Sequence, residues 1–329
     1  MNQRILVVAL NPALDLTYEL PQVDWAGVNR PVTVRSRPGG KGINVARTLH
    51  ALGADVLVLG LAGELTGRAV RSALAAIGVP GAFTEIAGET RRTLAVMDRD
   101  RGQTALFNEP GPRVSPAEYA AFRARYQAEL AATTAVVLTG SLPPGLPTGS
   151  YAELTGIAAA AGVPTVLDAE GEPLLRGLAA SPAVVKPNLA ELSGAVGRRL
   201  TGADSTGRAA VAAAALELRE AGAQAVVVSL GARGLLAVTG DGVWQAVHPG
   251  AVAANPTGAG DAVVAGLTHR LVLGHPWAER LRHAVALGSA AAAAPVAGEF
   301  RRADYEQALG QVTIVRRDGL MPDTSRGSL

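Results

Sequence analysis

The 329-residue chain contains no cysteine. Disulfides, thiolate metal sites and cysteine nucleophiles are therefore excluded together, and the chain is compatible with a reducing compartment. Long apolar runs are also missing. None reaches the ~18–20 residues of a membrane helix without glycine, proline or charge interrupting it. RILVVAL, residues 4–10, has the length of a strand and is too short for the core of a secretory signal. Charge of one sign is absent too: 30 Lys and Arg stand against 28 Asp and Glu, for a net charge of +2. No basic block with interleaved aromatics is present to track a phosphate backbone. Nucleic acid and membrane are thus not expected as partners, the expected location is the cytoplasm, and no internal repeat is found.

What is present is a soluble, well-packed globule: 48% of residues are apolar and 18% charged. Short apolar runs alternate with helical patterns. RILVVAL (4–10), DVLVLG (55–60), AVVLTG (135–140), PTVLDA (164–169), AVVK (183–186) and AVVVSLG (225–231) suit strands buried on both faces of a parallel sheet. Helical spacing fills 41–53, 64–78, 115–130, 148–161 and 204–221. This alternation predicts βαβ units and an open sheet that collects ligands at the carboxyl ends of its strands. Two regions break it, at 12–38 and 82–108. The second reads as a small antiparallel insertion, and the two are either edge hairpins or a flap over the sheet. Residues 318–329 read as a flexible tail.

Four constellations carry candidate chemistry. In NPTGAGDAVVAGL (255–267), Gly258 and Gly260 precede Asp261 at a helix start. The bland reading is a capped helix. The alternative joins an anion site of inward-turned amides on Gly258, Ala259 and Gly260 to a carboxylate that accepts the proton of an attacking hydroxyl. RPGGKGINVARTLHALG (37–53) places Gly40, Lys41 and Asn44 at another glycine-rich helix start. It is not a Walker A loop, because Gly42 follows Gly-Lys, and it is not a dinucleotide fingerprint. In VVKPNLAEL (184–192), Asn188 and Glu191 match a capping box, and Glu191 also suits a water-mediated magnesium contact. VVVSLGARG (226–234) ends a strand in Ser229, Gly231 and Gly234, which fits either a nucleotide contact or a tight turn.

Taken together, NPALD (11–15), GGKGINVA (39–46), GETR (88–91), TGSLPPG (139–145), KPNLAEL (186–192), SLGARG (229–234) and NPTGAGD (255–261) resemble the ribokinase-like sugar kinases, in the family's order. Within them, the chain is similar to the branch of 1-phosphofructokinase and tagatose-6-phosphate kinase. The resemblance runs from about residue 5 to about 310. It implies an α/β fold, a three-layer α/β/α kinase domain over 1–329 with a mostly parallel sheet and a β lid from 12–38 and 82–108. It implies ATP and Mg²⁺ as cofactors, a sugar phosphate as substrate, and a homodimer contact through the lid. Asp261 is implied as catalytic base, with Gly258, Ala259 and Gly260 as anion hole. Asp15, Gly40, Lys41 and Asn44 are implied as sugar contacts and Arg91 as ligand of the sugar's phosphate, with Arg92 on the other face of the strand. Lys186, Asn188 and the loop of Ser229, Gly231 and Gly234 are implied as ATP contacts, and Glu191 as the magnesium-associated acid.

Two departures bear on the sugar: Ala262 follows the base where relatives carry serine, and LDAEG (167–171) replaces an LDSSG-like stretch. Lys41 points to the sugar-phosphate branch, while GETR and NPTG lean toward its tagatose side. The expected reaction is phosphorylation of a ketohexose monophosphate, with an unphosphorylated sugar or a nucleoside as the alternative acceptor. A nicotinamide oxidoreductase lacks its glycine turn after the first strand. A silent sugar-phosphate sensor would not need Asp261.

Overall fold

A computed structural model describes residues 3–201, 205–250, 257–294 and 298–317. The predicted tail, and Asn255 and Pro256 of the NPTG motif, lie outside them. The chain starts in β1 (Ile5–Ala9), then β2 (Ala13–Leu20), β3 (Thr33–Gly39) and α1 (Lys41–Ala51). Next come β4 (Val56–Ala62), α2 (Glu64–Ala76), β5 (Gly81–Glu85), β6 (Arg91–Asp98) and β7 (Gln103–Asn108). The middle holds α3 (Pro116–Leu130), β8 (Ala135–Thr139), α4 (Ser150–Ala160), β9 (Thr165–Asp168), α5 (Gly171–Leu178), β10 (Val184–Val185), α6 (Leu189–Ala195) and α7 (Ser205–Glu220). The last part runs through β11 (Val226–Ser229), β12 (Leu235–Thr239), β13 (Gly242–Val247), α8 (Ala259–Val272), α9 (Trp277–Ala293), α10 (Arg302–Gln311) and β14 (Thr313–Arg316).

The larger sheet has the order β14-β13-β12-β11-β10-β9-β8-β1-β4-β5. From β5 to β11 every pairing is parallel, and β12, β13 and β14 continue it antiparallel. Leu6, Val8, Val136 and Leu138 pack with α3 to α7 on one face. Ile5, Val7, Val58 and Val137 pack with α1, α2, α8, α9 and α10 on the other. Burial on both faces explains why these strands read as unbroken apolar runs instead of alternating patterns. The result is the expected three-layer α/β/α arrangement. The chain leaves β1 toward β4 on one side and reaches β8 on the other, so a crevice opens at the carboxyl ends between them.

A four-stranded sheet, ordered β3-β2-β6-β7, stands over that edge. It draws on both irregular regions but departs from the expected antiparallel insertion. Its central pair, β2 and β6, is parallel. β5, which carries FTEI, is not part of it and pairs in parallel with β4 in the larger sheet. The reason is burial: Ala82 and Phe83, adjacent in sequence, face the two opposite cores, as only a strand of the covered sheet does. The second segment of the small sheet therefore starts at Arg91, later than 82.

α1 is held tightly against β1. A methyl built on Gly42 would lie 3.0 Å from both Ala9 Cβ and the Val8 carbonyl oxygen. Gly42→Val should therefore push α1 off the sheet and destabilise the fold by about 1–3 kcal/mol, read as a lower melting temperature. An unchanged melting temperature would mean α1 is not seated this closely.

Candidate active site

Three chain segments end at the same place. α8 begins after Gly258, which sits at its N-cap with φ 83°, a left-handed conformation that favours glycine. No side chain caps this helix, and the amides of its first turn have no intrahelical acceptor, so they form a positive mouth. Asp261 lies in that first turn but does not serve as its cap. Its Oδ2 instead accepts a hydrogen bond from Asn44 Nδ2 at 2.9 Å, one turn into α1. α1 starts just after Gly40, again with no side-chain cap. The capped-helix reading of Asp261 therefore does not hold.

β9 contributes a residue that sequence reasoning did not assign. Asp168 ends that strand and is 1% exposed. Its Oδ1 pairs with Lys186 Nζ at 3.1 Å. Its Oδ2 accepts from Thr139 Oγ1 at 3.0 Å and lies 3.7 Å from Lys41 Nζ. A methyl built on Gly260 would sit 3.8 Å from Lys186 Nζ, which places that ammonium at the mouth of α8. The available signal was positional: Asp168 is the last residue of PTVLD, where an apolar strand meets the ligand edge of the sheet.

Asp168 and Asp261 respond to burial in opposite ways. For Asp168, burial works to raise the pKa, but the charges of Lys186 and Lys41 and the hydrogen bonds from Lys186 and Thr139 prevail and hold it below the usual value. Asp261, buried and hydrogen-bonded by Asn44, is pushed up to about 7, first by desolvation and then by the negative charge of Asp168, against that bond and the charges of Lys41 and Lys186. Lys41 is raised to about 12: burial works against its charge, but Asp168, Glu191, Asp261 and Glu170 outweigh it.

The motifs of Asn188, Glu191 and the turn after Ser229 fall beside this cluster. Asn188 Oδ1 accepts from the Glu191 amide and Glu191 Oε2 accepts from the Asn188 amide, both at 2.8 Å, so the capping box is real. It uses one carboxylate oxygen only; Oε1 faces Lys41 Nζ at 3.8 Å. Both readings of Glu191 are therefore compatible. Asn188 is bridged to Ser229, and the turn after Ser229, through Gly231 and Gly234, joins β11 to β12 as a hairpin while its residues face the cleft.

From the small sheet come Asp15 on β2 and Arg91 on β6. Arg91 Nε donates to the Asn11 carbonyl oxygen at 3.1 Å, while Arg92 lies outside and pairs with Glu109 at 3.2 Å, as the strand alternation predicts. Asp15 has its pKa raised by burial, against a hydrogen bond from Thr93 and the charges of Arg91 and Arg47. Arg92 and Arg47 apart, these groups line one cleft of about 830 Å³, including every residue given a candidate site role from the motifs. Asn11 was missed. Its side chain donates to the Pro110 carbonyl and Ser141 Oγ, tying the exit of β1 to the loops after β7 and β8. Among the described residues, no group of three or more His, Asp or Glu is gathered to hold a metal, and no helix is long and apolar enough to cross a membrane.

A family model of the pfkB family carbohydrate kinases matches residues 8–304. The chain belongs to that family, which makes it an enzyme that phosphorylates a carbohydrate. It is 39% identical over 287 residues to 1-phosphofructokinase of Rhodobacter capsulatus, an alignment spanning 87% of this chain and 89% of that one. The crystal structure of phosphofructokinase-2 from Escherichia coli in complex with potassium superposes with a TM-score of 0.86 at 32% identity, over 94% of this chain and 99% of that one. Ribokinase from Arabidopsis thaliana, complexed with ribose and ATP, gives 0.75 at 21% identity over 94% and 99%, a likeness of fold alone.

An unfolded aspartate titrates near pH ~3.9, whereas Asp261 in the fold titrates at about 7. Between those values folding takes up a proton, so this carboxyl favours the fold most below the unfolded value and loses that contribution as pH rises to about 7. Asp261→Asn, neutral and similar in size, should melt higher than the wild type at pH 8, with the gap narrowing toward pH 4–5. A gap independent of pH would contradict the raised pKa.

Proposed function

We propose that this enzyme transfers the terminal phosphoryl group of ATP to a free hydroxyl of a ketohexose monophosphate, as 1-phosphofructokinase or tagatose-6-phosphate kinase does. The observation that carries this reading is the pairing, across one cleft, of buried Asp261 at the mouth of α8 with Arg91 and Asp15 on the small sheet. The acceptor lies between them. Its own phosphate meets the Arg91 guanidinium, whose planar fork suits phosphate geometry, and its ring hydroxyls meet Asp15 and Asn44. Asn44 Oδ1 is a buried acceptor with no partner among the described residues, and a sugar hydroxyl would satisfy it.

In the reaction the free hydroxyl oxygen forms a bond to the γ-phosphorus of ATP while the bond from that phosphorus to the β-bridging oxygen breaks. The electron pair leaves with ADP, and the hydroxyl proton passes to the Asp261 carboxylate. A base titrating near 7 is matched to that transfer at neutral pH. The amides of Gly258, Ala259 and Gly260 face the negative charge on the moving group. Lys186, locked on Asp168, holds a fixed positive charge at the same helix mouth, and Asn188, Ser229, Gly231 and Gly234 flank the nucleotide.

Magnesium fits this donor set as a nucleotide-borne ion, because Glu191 has an oxygen free of its capping box and Mg²⁺ retains most of its waters. When bound, it neutralises charge on the phosphates, and Glu191 would touch it through water. The small sheet serves as a lid that excludes water once the sugar is held. The exposed Val32, Val34, Leu106 and Phe107 support a contact between two copies through that sheet.

Asp261→Ala should lower kcat by about 10²–10⁴-fold with KM values within a few-fold of wild type; near-intact turnover would remove Asp261 from the role of base. Arg91→Met should raise KM for the sugar phosphate by about 10–100-fold, the worth of a charged hydrogen bond, and leave KM for ATP unchanged. An assay with fructose 1-phosphate, fructose 6-phosphate, tagatose 6-phosphate and unphosphorylated sugars names the acceptor. Turnover of the unphosphorylated sugars alone would contradict the reading, and tight binding without any turnover would indicate a sensor.

A further inference from the structure

β2 and β3 place an aspartate and an arginine directly opposite each other. Asp15 is in register with Arg37, and residues so placed across an antiparallel pair share a face of the sheet and interact. An ion pair between them would be the ordinary result, but the Arg37 guanidinium donates to Glu299 Oε1 instead. The same oxygen accepts from Arg47 Nη2 at 2.9 Å. One carboxylate, on the loop before α10, thus gathers an arginine from the small sheet and another from α1. The two arms differ in freedom. Arg47 has a 12% exposed side chain on a packed helix, whereas that of Arg37 is 33% exposed. The loop is seated closely as well: a methyl built on Gly298 would stand 2.8 Å from Asn44 Oδ1. Asp15, meanwhile, leans over Gly39, where a methyl would collide with its carboxylate, and lines the cleft. Burial raises its pKa against the Thr93 hydrogen bond and the charges of Arg91 and Arg47. A desolvated carboxylate in that condition draws a nearby guanidinium, whose fork can take both of its oxygens.

We infer that Glu299 is a positioning residue that holds Arg37 off Asp15 and so leaves the Asp15 carboxylate open to a hydroxyl of the acceptor sugar. The inference rests on the kinase reading above, in which Asp15 meets the sugar. Arg47 anchors Glu299, and Glu299 takes Arg37. Without the Glu299 charge, Arg37 turns to its cross-strand partner and occupies the oxygens that the sugar needs. Neither Glu299 nor Arg37 lines the cleft, so the effect reaches the sugar only through Asp15. A plain clasp between the small sheet and α1 would behave differently, because losing either of its partners would do the same harm.

The test compares the full chain with Glu299→Gln, Arg37→Met, the double variant and Asp15→Asn. Calorimetry measures binding of fructose 1-phosphate, fructose 6-phosphate and tagatose 6-phosphate, and carbon-13 NMR follows the Asp15 carboxyl. For the sugar phosphate that wild type binds best, Glu299→Gln should weaken affinity about tenfold, the worth of a hydrogen bond to a charged group. KM for ATP and kcat at saturating sugar phosphate should stay within threefold. Arg37→Met alone should bind nearly as wild type does, and added to Glu299→Gln it should restore most of the lost affinity. The Asp15 midpoint should fall by about 1–3 pH units in Glu299→Gln, as for a carboxylate gaining an arginine, and return in the double variant. Equal losses in Glu299→Gln and Arg37→Met without recovery in the double variant would make this a clasp and overturn the inference. An Asp15 midpoint unchanged by Glu299→Gln would overturn it too. Undiminished sugar-phosphate binding by Asp15→Asn would instead remove Asp15 from the sugar subsite, a failure of the kinase reading. Should Glu299→Gln not fold, Glu299→Ala carries the same comparison.

Discussion

Two aspartates are buried in one cleft, and the two lysines beside them sit close to only one. Asp168 takes Lys186, Lys41 and the Thr139 hydroxyl, and stays charged. For Asp261, desolvation and the repulsion of Asp168 outweigh the amide of Asn44 and the more distant charges of Lys41 and Lys186, and its affinity for a proton rises. Two carboxyl groups of identical chemistry are thereby driven apart into a charged anchor and a group with raised proton affinity, the pattern by which one fold separates acid–base roles. The rest of the site depends on that division. The anchor holds Lys186 and Lys41 at the mouth of the cleft, and on the proposed reading Asp261 stands beside them as acceptor of a hydroxyl proton. If Asp168 lost its charge, Lys186 would lose its fixed position and Asp261 would lose part of the repulsion that tunes it.

The scaffold explains why these groups meet. Parallel strands covered on both faces leave only their carboxyl ends open to ligand, and β9 delivers Asp168 there. Two helix starts, α1 and α8, converge on the same edge, each without a side-chain cap. Their free amides would be a liability in a buried helix end, but at a cleft they form a site for anionic groups. The small sheet provides the opposite wall, bringing Asp15 and Arg91 over the opening, with Asn11 binding the connecting loops together.

Most of the larger sheet was legible because burial on both faces writes continuous apolar runs, and the motifs were legible because glycine at a helix start beside a carboxylate is a local pattern. What escaped reading was non-local. FTEI looks like any short strand, and only its packing against two cores, through Ala82 and Phe83, assigns β5 to the covered sheet. The parallel pairing of β2 with β6 joins segments separated by β3, two helices and two strands of the other sheet, so no turn signal marks it. Asp168 was visible as a letter but not as a role, since its meaning comes from Lys41 and Lys186, one far upstream and the other on the next strand's exit. The same applies to Lys41: the resemblance implies a sugar contact, and only the fold reveals that Asp168 and Glu191 stand beside its ammonium. Asn188 and Glu191 show the converse case, a local cap that leaves one oxygen for a second task.

Burial and a charged neighbour raise the proton affinity of Asp261, the property that its proposed role as proton acceptor requires. The most direct measurement is the titration of its side-chain carboxyl by carbon-13 NMR, in the intact protein labelled at aspartate, with the resonance assigned from its loss in Asp261→Asn. The account predicts a midpoint of about 7. A midpoint near ~4, the ordinary aspartate value, would contradict it.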